Sequence, residues 1–214
     1  MGKWKTICHP GAAYFLTATV VDYTVIFDEK AYAATVLDNL DFYRKKHRFR
    51  LYAYVIMPEH LHLVIHPSSE TRITDIMRDF KSYTSKKLTA QLKEDGRVEV
   101  LSRLRISSSS KIEQPFGAPG NRAVGIYSEN VLRTKVNYVH ANPLRRGLVE
   151  EPADYPYSSC RNYYLDDESL IKIDKEWLGP HVTDKVSVHG ESVQDESVTN
   201  KGGTVRPTEK YDTR

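Results

Sequence analysis

The run Pro58-Glu59-His60-Leu61-His62-Leu63-Val64-Ile65-His66 sets two histidines on either side of one leucine, inside an apolar segment of strand type. Along a strand alternate side chains share a face, so His60 and His62 project together while Leu61, Leu63 and Ile65 point the other way. A core strand gains nothing from two imidazoles side by side. A divalent metal does, because neutral imidazole is a common ligand and the strand presets the bite. Two histidines alone hold a metal weakly, so a further ligand is expected. Near residue 140 Tyr138 and Asn142 stand at i and i+4 and share a helical face, with Leu132, Val136 and Val139 on the stripe a core would take. The amide of Asn142 can give a metal an oxygen. A phenol beside a metal that also binds phosphate can attack that phosphate and become a covalent phosphotyrosine. His66, two steps along the same face, reads as a strand-end residue. Structural readings stand beside these: hydrogen-bonded surface histidines, an interface aromatic at Tyr138, and a helix-capping amide at Asn142 ahead of Pro143.

The elements that must position these residues can be read from periodicity. Residues 13–26 are rich in β-formers and predict a first strand. Residues 28–47 carry Tyr32, Ala33, Val36, Leu37, Leu40 and Tyr43 at helical spacing, with Asp28 as N-cap. Residues 51–57 and 60–66 predict two strands joined by the Met57-Pro58-Glu59 turn. A helix is expected over 71–92, then an irregular stretch over 94–121, marked by Ser107 to Ser110 and by Pro115, Gly117, Pro119 and Gly120. A short strand over 122–127 and a helix from Ser128 to about Ala141 follow, the helix ended by Pro143. The order β-α-β-β-α-β-α is that of an α+β, ferredoxin-like (RRM-like) antiparallel sheet with helices packed on one face, followed by a C-terminal extension. Residues 1–150 are expected to form the main domain. Residues 151–178, with Tyr155, Tyr157, Tyr163, Tyr164 and Trp177, are expected to pack on it. Residues 179–214 read as a disordered polar tail.

The 214 residues suit one domain with extensions, and 40% hydrophobic content supports a real core. No apolar stretch reaches membrane-spanning length, and residues 1–5 lack the apolar segment of a secretory signal. Cys8 and Cys160 offer neither a disulfide framework nor a zinc–thiolate cluster. A cytoplasmic protein with no membrane partner is expected. The net charge of +3 conceals an asymmetry: 23 Lys and Arg against 15 Asp and Glu over residues 1–150, but 8 against 13 over the remainder. A basic body with an acidic tail suits a polyanion partner.

The segment Val55-Ile56-Met57-Pro58-Glu59-His60-Leu61-His62-Leu63-Val64 resembles the His-hydrophobic-His (HUH) motif of the single-tyrosine transposases. Lys135 to Val149, with Tyr138, Asn142 and Pro143, is similar to their tyrosine helix. The Tyr-x-x-x-Asn-Pro signature and the following Asp154-Tyr155-Pro156-Tyr157-Ser158-Ser159 resemble the REP-associated tyrosine transposases over about residues 10–175. The resemblance implies an endonuclease that cleaves and rejoins single-stranded DNA at hairpin elements. Tyr138 would be the nucleophile that holds the 5′ phosphate. His60, His62 and Asn142 would hold Mg²⁺ or Mn²⁺. Lys81, Lys86, Lys87, Arg122, Arg145 and Arg146 would contact a single-stranded or hairpin DNA partner, with the protein acting as a monomer or homodimer.

Relatives carry an aromatic and basic segment before the last strand, where this chain reads Pro115-Phe116-Gly117-Ala118-Pro119-Gly120-Asn121-Arg122. That segment is the feature favouring an alternative, a domesticated hairpin-DNA-binding protein with little or no cleavage activity. A third class, the histidine-triad nucleotide hydrolases, requires alternating histidines at three positions, and Val64 stands at the third.

Overall fold

The computed structural model describes residues 11–47, 49–106, 115–116 and 123–178. Arg122 and the expected tail over 179–214 lie outside the described residues. The expected strand order is present; the differences lie in helix limits, in one added helix, in the side of the sheet that the last helix covers, and in the length of the first strand.

Strand β1 (Ala13–Thr19) ends well before residue 26. Asp22 and Tyr23 adopt left-handed φ values of 52° and 51° within a 3-10 turn, which ends the extended chain although Val20, Val21 and Ile26 remain buried. The chain then clasps the turn that precedes His60: Val20 donates to the Glu59 carbonyl, and Ile26 and Phe27 both donate to the Pro58 carbonyl, all at 2.9 Å. Helix α1 (Lys30–His47) starts with the Glu29 carbonyl accepting from Tyr32 and Ala33. The helix boundary thus lies one residue beyond Asp28, the expected cap.

Strands β2 (Arg50–Met57) and β3 (His60–His66) form the expected antiparallel hairpin, with Met57 opposite His60 and Val55 opposite His62. Helix α2 (Ile73–Glu94) is followed by a turn at Gly96, whose φ of 66° ends it. Helix α3 (Val98–Ile106) occupies sequence expected to be irregular. Its Leu101 and Leu104 are buried at i,i+3, a repeat too short to stand out beside the Ser, Gly and Pro signals that follow it. After β4 (Ala123–Ile126), α4 (Glu129–Arg145) begins at Ser128, whose Oγ accepts from the Val131 N–H at 3.3 Å.

Helix α4 continues through Pro143 instead of stopping before it. A proline so close to the end costs one intrahelical bond. The carbonyls of Asn142, Pro143 and Leu144 are taken by the N–H groups of Arg146, Leu148 and Gly147, with Gly147 at a φ of 65° closing the helix.

The sheet order is β2-β3-β1-β4, with every neighbouring pair antiparallel. Both faces are apolar. Leu16, Leu61, Leu63 and Ile65 pack with residues of α1 and α2, such as Val36, Leu40, Ile76 and Phe80. Phe15, Ala53, Val55, Met57 and Val64 pack on the other face against Leu132, Val136 and Val139 of α4. The ferredoxin-like layer of α1 and α2 is therefore as expected, but the tyrosine-bearing helix covers the opposite face rather than joining them.

Residues 151–178 run along the outer edge of β2. Ile56 donates to the Tyr157 carbonyl, Ser159 to the Tyr54 carbonyl, and Leu51 and Asp174 exchange bonds of 2.8 Å. The phenols of Tyr155 and Tyr163 donate to the carbonyls of Ile56 and Tyr52. Backbone groups that an exposed edge strand would offer to another chain are occupied from within.

Candidate active site

Strand alternation puts His60, His62 and Val64 on the α4 side of the sheet, and the structure brings Tyr138 to the same place. The Tyr138 and His62 ring centroids are 5.4 Å apart, and those of His60 and His62 are 4.7 Å apart, both edge to face. Phe15, on β1, stacks on His62 at 5.2 Å and meets Tyr138 edge-on at 5.7 Å. Residues far apart in sequence thus form one small aromatic and imidazole cluster between β3, β1 and α4. Asn142, one turn beyond Tyr138 on the helix, is buried.

The two imidazoles are held by their Nδ1 atoms. Thr17 lies directly opposite His62 in the β1–β3 register, and its Oγ1 is 2.9 Å from His62 Nδ1. Glu59 Oε1 is 3.1 Å from His60 Nδ1. A carboxylate can only accept there, so His60 carries its proton on Nδ1. The same tautomer at His62 would donate to Thr17 Oγ1 and present Nε2, as at His60, to a cation. Burial, reinforced by His60 and Lys135, holds His62 neutral by pushing its pKa down to about 3. Burial also lowers His60, against the opposing pull of Glu59.

This donor set fits a divalent metal, with two neutral imidazoles adjacent and oriented through their second nitrogens. No cluster of three His, Cys, Asp or Glu occurs among the described residues. A third protein ligand would therefore come from another residue type, and Asn142 is the buried amide on the Tyr138 side of the helix.

Positive charge surrounds the phenol. Lys135 Nζ lies 5.0 Å from the Phe15 centroid and 5.8 Å from that of Tyr138, while the Arg145 guanidinium carbon lies 5.4 Å from the Tyr138 centroid. Arg146 turns to Glu59, with Nη1 2.8 Å from Oε1. Lys81, Lys86 and Lys87 are not brought to this site. They lie on α2, in the layer on the other face of the sheet, where Lys87 sits over Tyr83 and burial lowers the Lys81 amine. His66 is engaged elsewhere, its Nε2 3.0 Å from the Gly11 carbonyl oxygen.

Sequence reading missed Thr17, Phe15, Glu59 and Lys135. The first two could be found only through strand register. Lys135 was open to discovery, since it precedes Tyr138 by three residues on a helix, and Glu59 stands as a carboxylate within an apolar hairpin. An open cleft of about 700 Å³ lies elsewhere on this face, between Ala13, Tyr52, His66, Leu132 and Trp177, and not over the two histidines.

Residues 16–104, which include both histidines, match the family model of IS200-like transposases. The match takes in β1 from Leu16, β2, β3 and the helices up to residue 104, and stops before β4 and the tyrosine helix. A REP-associated tyrosine transposase bound to a REP hairpin has a similar structure, with a TM-score of 0.60 over 90% of this chain and 96% of that one, at 17% identity. At that identity the likeness is one of fold. A candidate transposase from Deinococcus radiodurans R1 aligns at a TM-score of 0.42 and 12% identity, over 63% of this chain and 92% of that chain. No curated protein matches the sequence. Among the described residues no helix is long and apolar enough to cross a membrane.

Proposed function

We propose that this chain is an IS200-like transposase of the REP-associated type that cleaves and rejoins single-stranded DNA beside a hairpin, with Tyr138 as nucleophile. The observation that carries the reading is the placement of the Tyr138 ring 5.4 Å from His62, between the cations Lys135 and Arg145. The Tyr138 oxygen bonds to phosphorus as the bond to the 3′ oxygen breaks. The phenol proton passes to solvent, and the departing 3′ oxygen takes one up. The 5′ phosphate stays on the tyrosine, and the free 3′ hydroxyl reverses the attack when strands are rejoined, so no external energy source is required. Lys135 and Arg145 stabilise charge developing on the phosphoryl oxygens.

His60, His62 and Asn142 would hold the Mg²⁺ or Mn²⁺ ion. When bound, that ion would polarise the phosphoryl oxygen and orient the phosphate. The rings are prepared for this by burial and by their Nδ1 partners. The basic body of the chain, +8 over residues 1–150, suits the phosphate backbone of a single strand or hairpin.

The reading is tested with a 5′-flanked DNA hairpin and Mn²⁺, comparing wild type with Tyr138→Phe on denaturing gels. The wild type should cleave and leave a covalent protein–DNA adduct. Tyr138→Phe should bind the same hairpin and do neither. Cleavage unchanged in the variant would sink the nucleophile assignment, and hairpin binding without cleavage by the wild type would favour the domesticated DNA-binding protein.

A further inference from the structure

Glu59 is 4% exposed, in a turn where a carboxylate would ordinarily be solvated. A buried carboxylate is costly unless it is paired. One oxygen, Oε1, meets both His60 Nδ1 at 3.1 Å and Arg146 Nη1 at 2.8 Å, while Oε2 has no hydrogen-bond partner. Arg146 is the residue that closes α4, its N–H bonded to the Asn142 carbonyl. The Glu59 main chain is pinned as well, since its carbonyl accepts from Val20 and the adjoining Pro58 carbonyl accepts from Ile26 and Phe27. The carboxylate thus extends from a fixed stretch of main chain, and its position is set by His60 and Arg146.

We propose that Glu59 is a positioning residue with two simultaneous tasks. It holds His60 in the Nδ1–H tautomer, aiming Nε2 into the site, and through Arg146 it ties the end of the tyrosine helix to the histidine hairpin. The proposal rests on the reading of His60 as a metal ligand for its consequence, but not for its geometry. A turn ion pair kept only for stability would not require an imidazole on the same oxygen. Partners that orient a ligating histidine in this way are worth about 10–100-fold in metal affinity.

The test uses the full chain labelled with ¹⁵N-histidine. Without metal, the ring nitrogen shifts of wild type should report His60 as Nδ1–H. Glu59→Ala should move His60 towards a mixture of tautomers, and Glu59→Gln, which keeps an accepting oxygen, should hold it. Arg146→Ala should leave the tautomer unchanged. In a Mn²⁺ titration followed by electron paramagnetic resonance, Glu59→Ala should weaken binding about 10–100-fold and Glu59→Gln should lose less. A wild-type His60 in the Nε2–H form overturns the proposal even if no variant folds, as does an unchanged tautomer in folded Glu59→Ala. Wild type that binds no Mn²⁺ while the tautomer still responds to Glu59→Ala would remove the metal reading and leave the positioning role standing.

Discussion

Replacing Ser159 with alanine removes a single oxygen, and the structure indicates what that costs. Ser159 is fully buried on the segment that runs along β2. Its Oγ donates to the Tyr54 carbonyl at 3.1 Å, accepts from the Tyr54 N–H at 2.9 Å, and lies 2.9 Å from His140 Nε2. A hydroxyl has one donor and two acceptor sites, so all are used if His140 is the Nε2–H tautomer. Burial favours that neutral ring by lowering its pKa to about 3. In Ser159→Ala the Tyr54 carbonyl keeps its bond from the Ser159 N–H, but the Tyr54 N–H and the His140 Nε2–H lose their partners. Two orphaned buried donors at ~1–3 kcal/mol each give a loss of about 2–6 kcal/mol. For a chain of this size that is a fall of at least ~4 °C in melting temperature. Urea unfolding at pH 7 measures the change directly. Ser158→Ala is the internal control, because among the described residues its Oγ accepts one bond, from the Cys160 N–H at 3.1 Å, and it should lose about half as much. A loss below about 1 kcal/mol for Ser159→Ala, or one no larger than for Ser158→Ala, would refute the account of this segment as a hydrogen-bonded clamp on β2 and α4.

Other outcomes follow from the same geometry. Burial raises the phenols of Tyr54, Tyr155 and Tyr163, Tyr155 to about 12. The folded state keeps these protons above pH 10 while the unfolded state releases them, so stability is full below pH 10 and falls as pH rises, by ~1.4 kcal/mol per unit for each phenol. Urea midpoints at pH 9, 10 and 11, read with tyrosinate absorbance, should show this decline, and ionisation of all tyrosines ahead of unfolding would contradict it. Arg145→Ala and Lys135→Ala should slow single-turnover cleavage at saturating DNA, and each should reduce the salt slope of single-strand binding by about one if it contacts a phosphate. Lys86→Ala should leave that saturated rate unchanged, and an equal loss would place α2 at the reacting phosphate.

Much of the site was legible because its pieces are local. Alternation along β3 settles that His60 and His62 are cofacial, and helical spacing settles that Tyr138 and Asn142 are, without reference to the rest of the chain. The apolar pattern likewise supports the strand order. Where local reading went astray, a competing physical signal was stronger. Pro143 predicts a stop, yet the helix runs two residues past it and its last carbonyls are taken by the N–H groups of Arg146, Leu148 and Gly147. Residues 98–106 were masked by their neighbours, and the β-rich residues after Thr19 turn at Asp22 and Tyr23 while remaining in the core.

The sequence by itself determined which residues share a face of their own element, because backbone geometry repeats every two residues in a strand and every 3.6 in a helix. Only the tertiary structure decided which elements meet. Both faces of β2 and β3 are buried and apolar, so no pattern within these strands states which helix covers which side. Packing placed α4 on the histidine face, bringing Tyr138, Lys135 and Arg145 to His62, and left the α2 lysines on the other. The partners of the histidines, Thr17 by strand register and Glu59 with Arg146 across 87 positions of chain, are long-range pairings, and a sequence period carries no information about them.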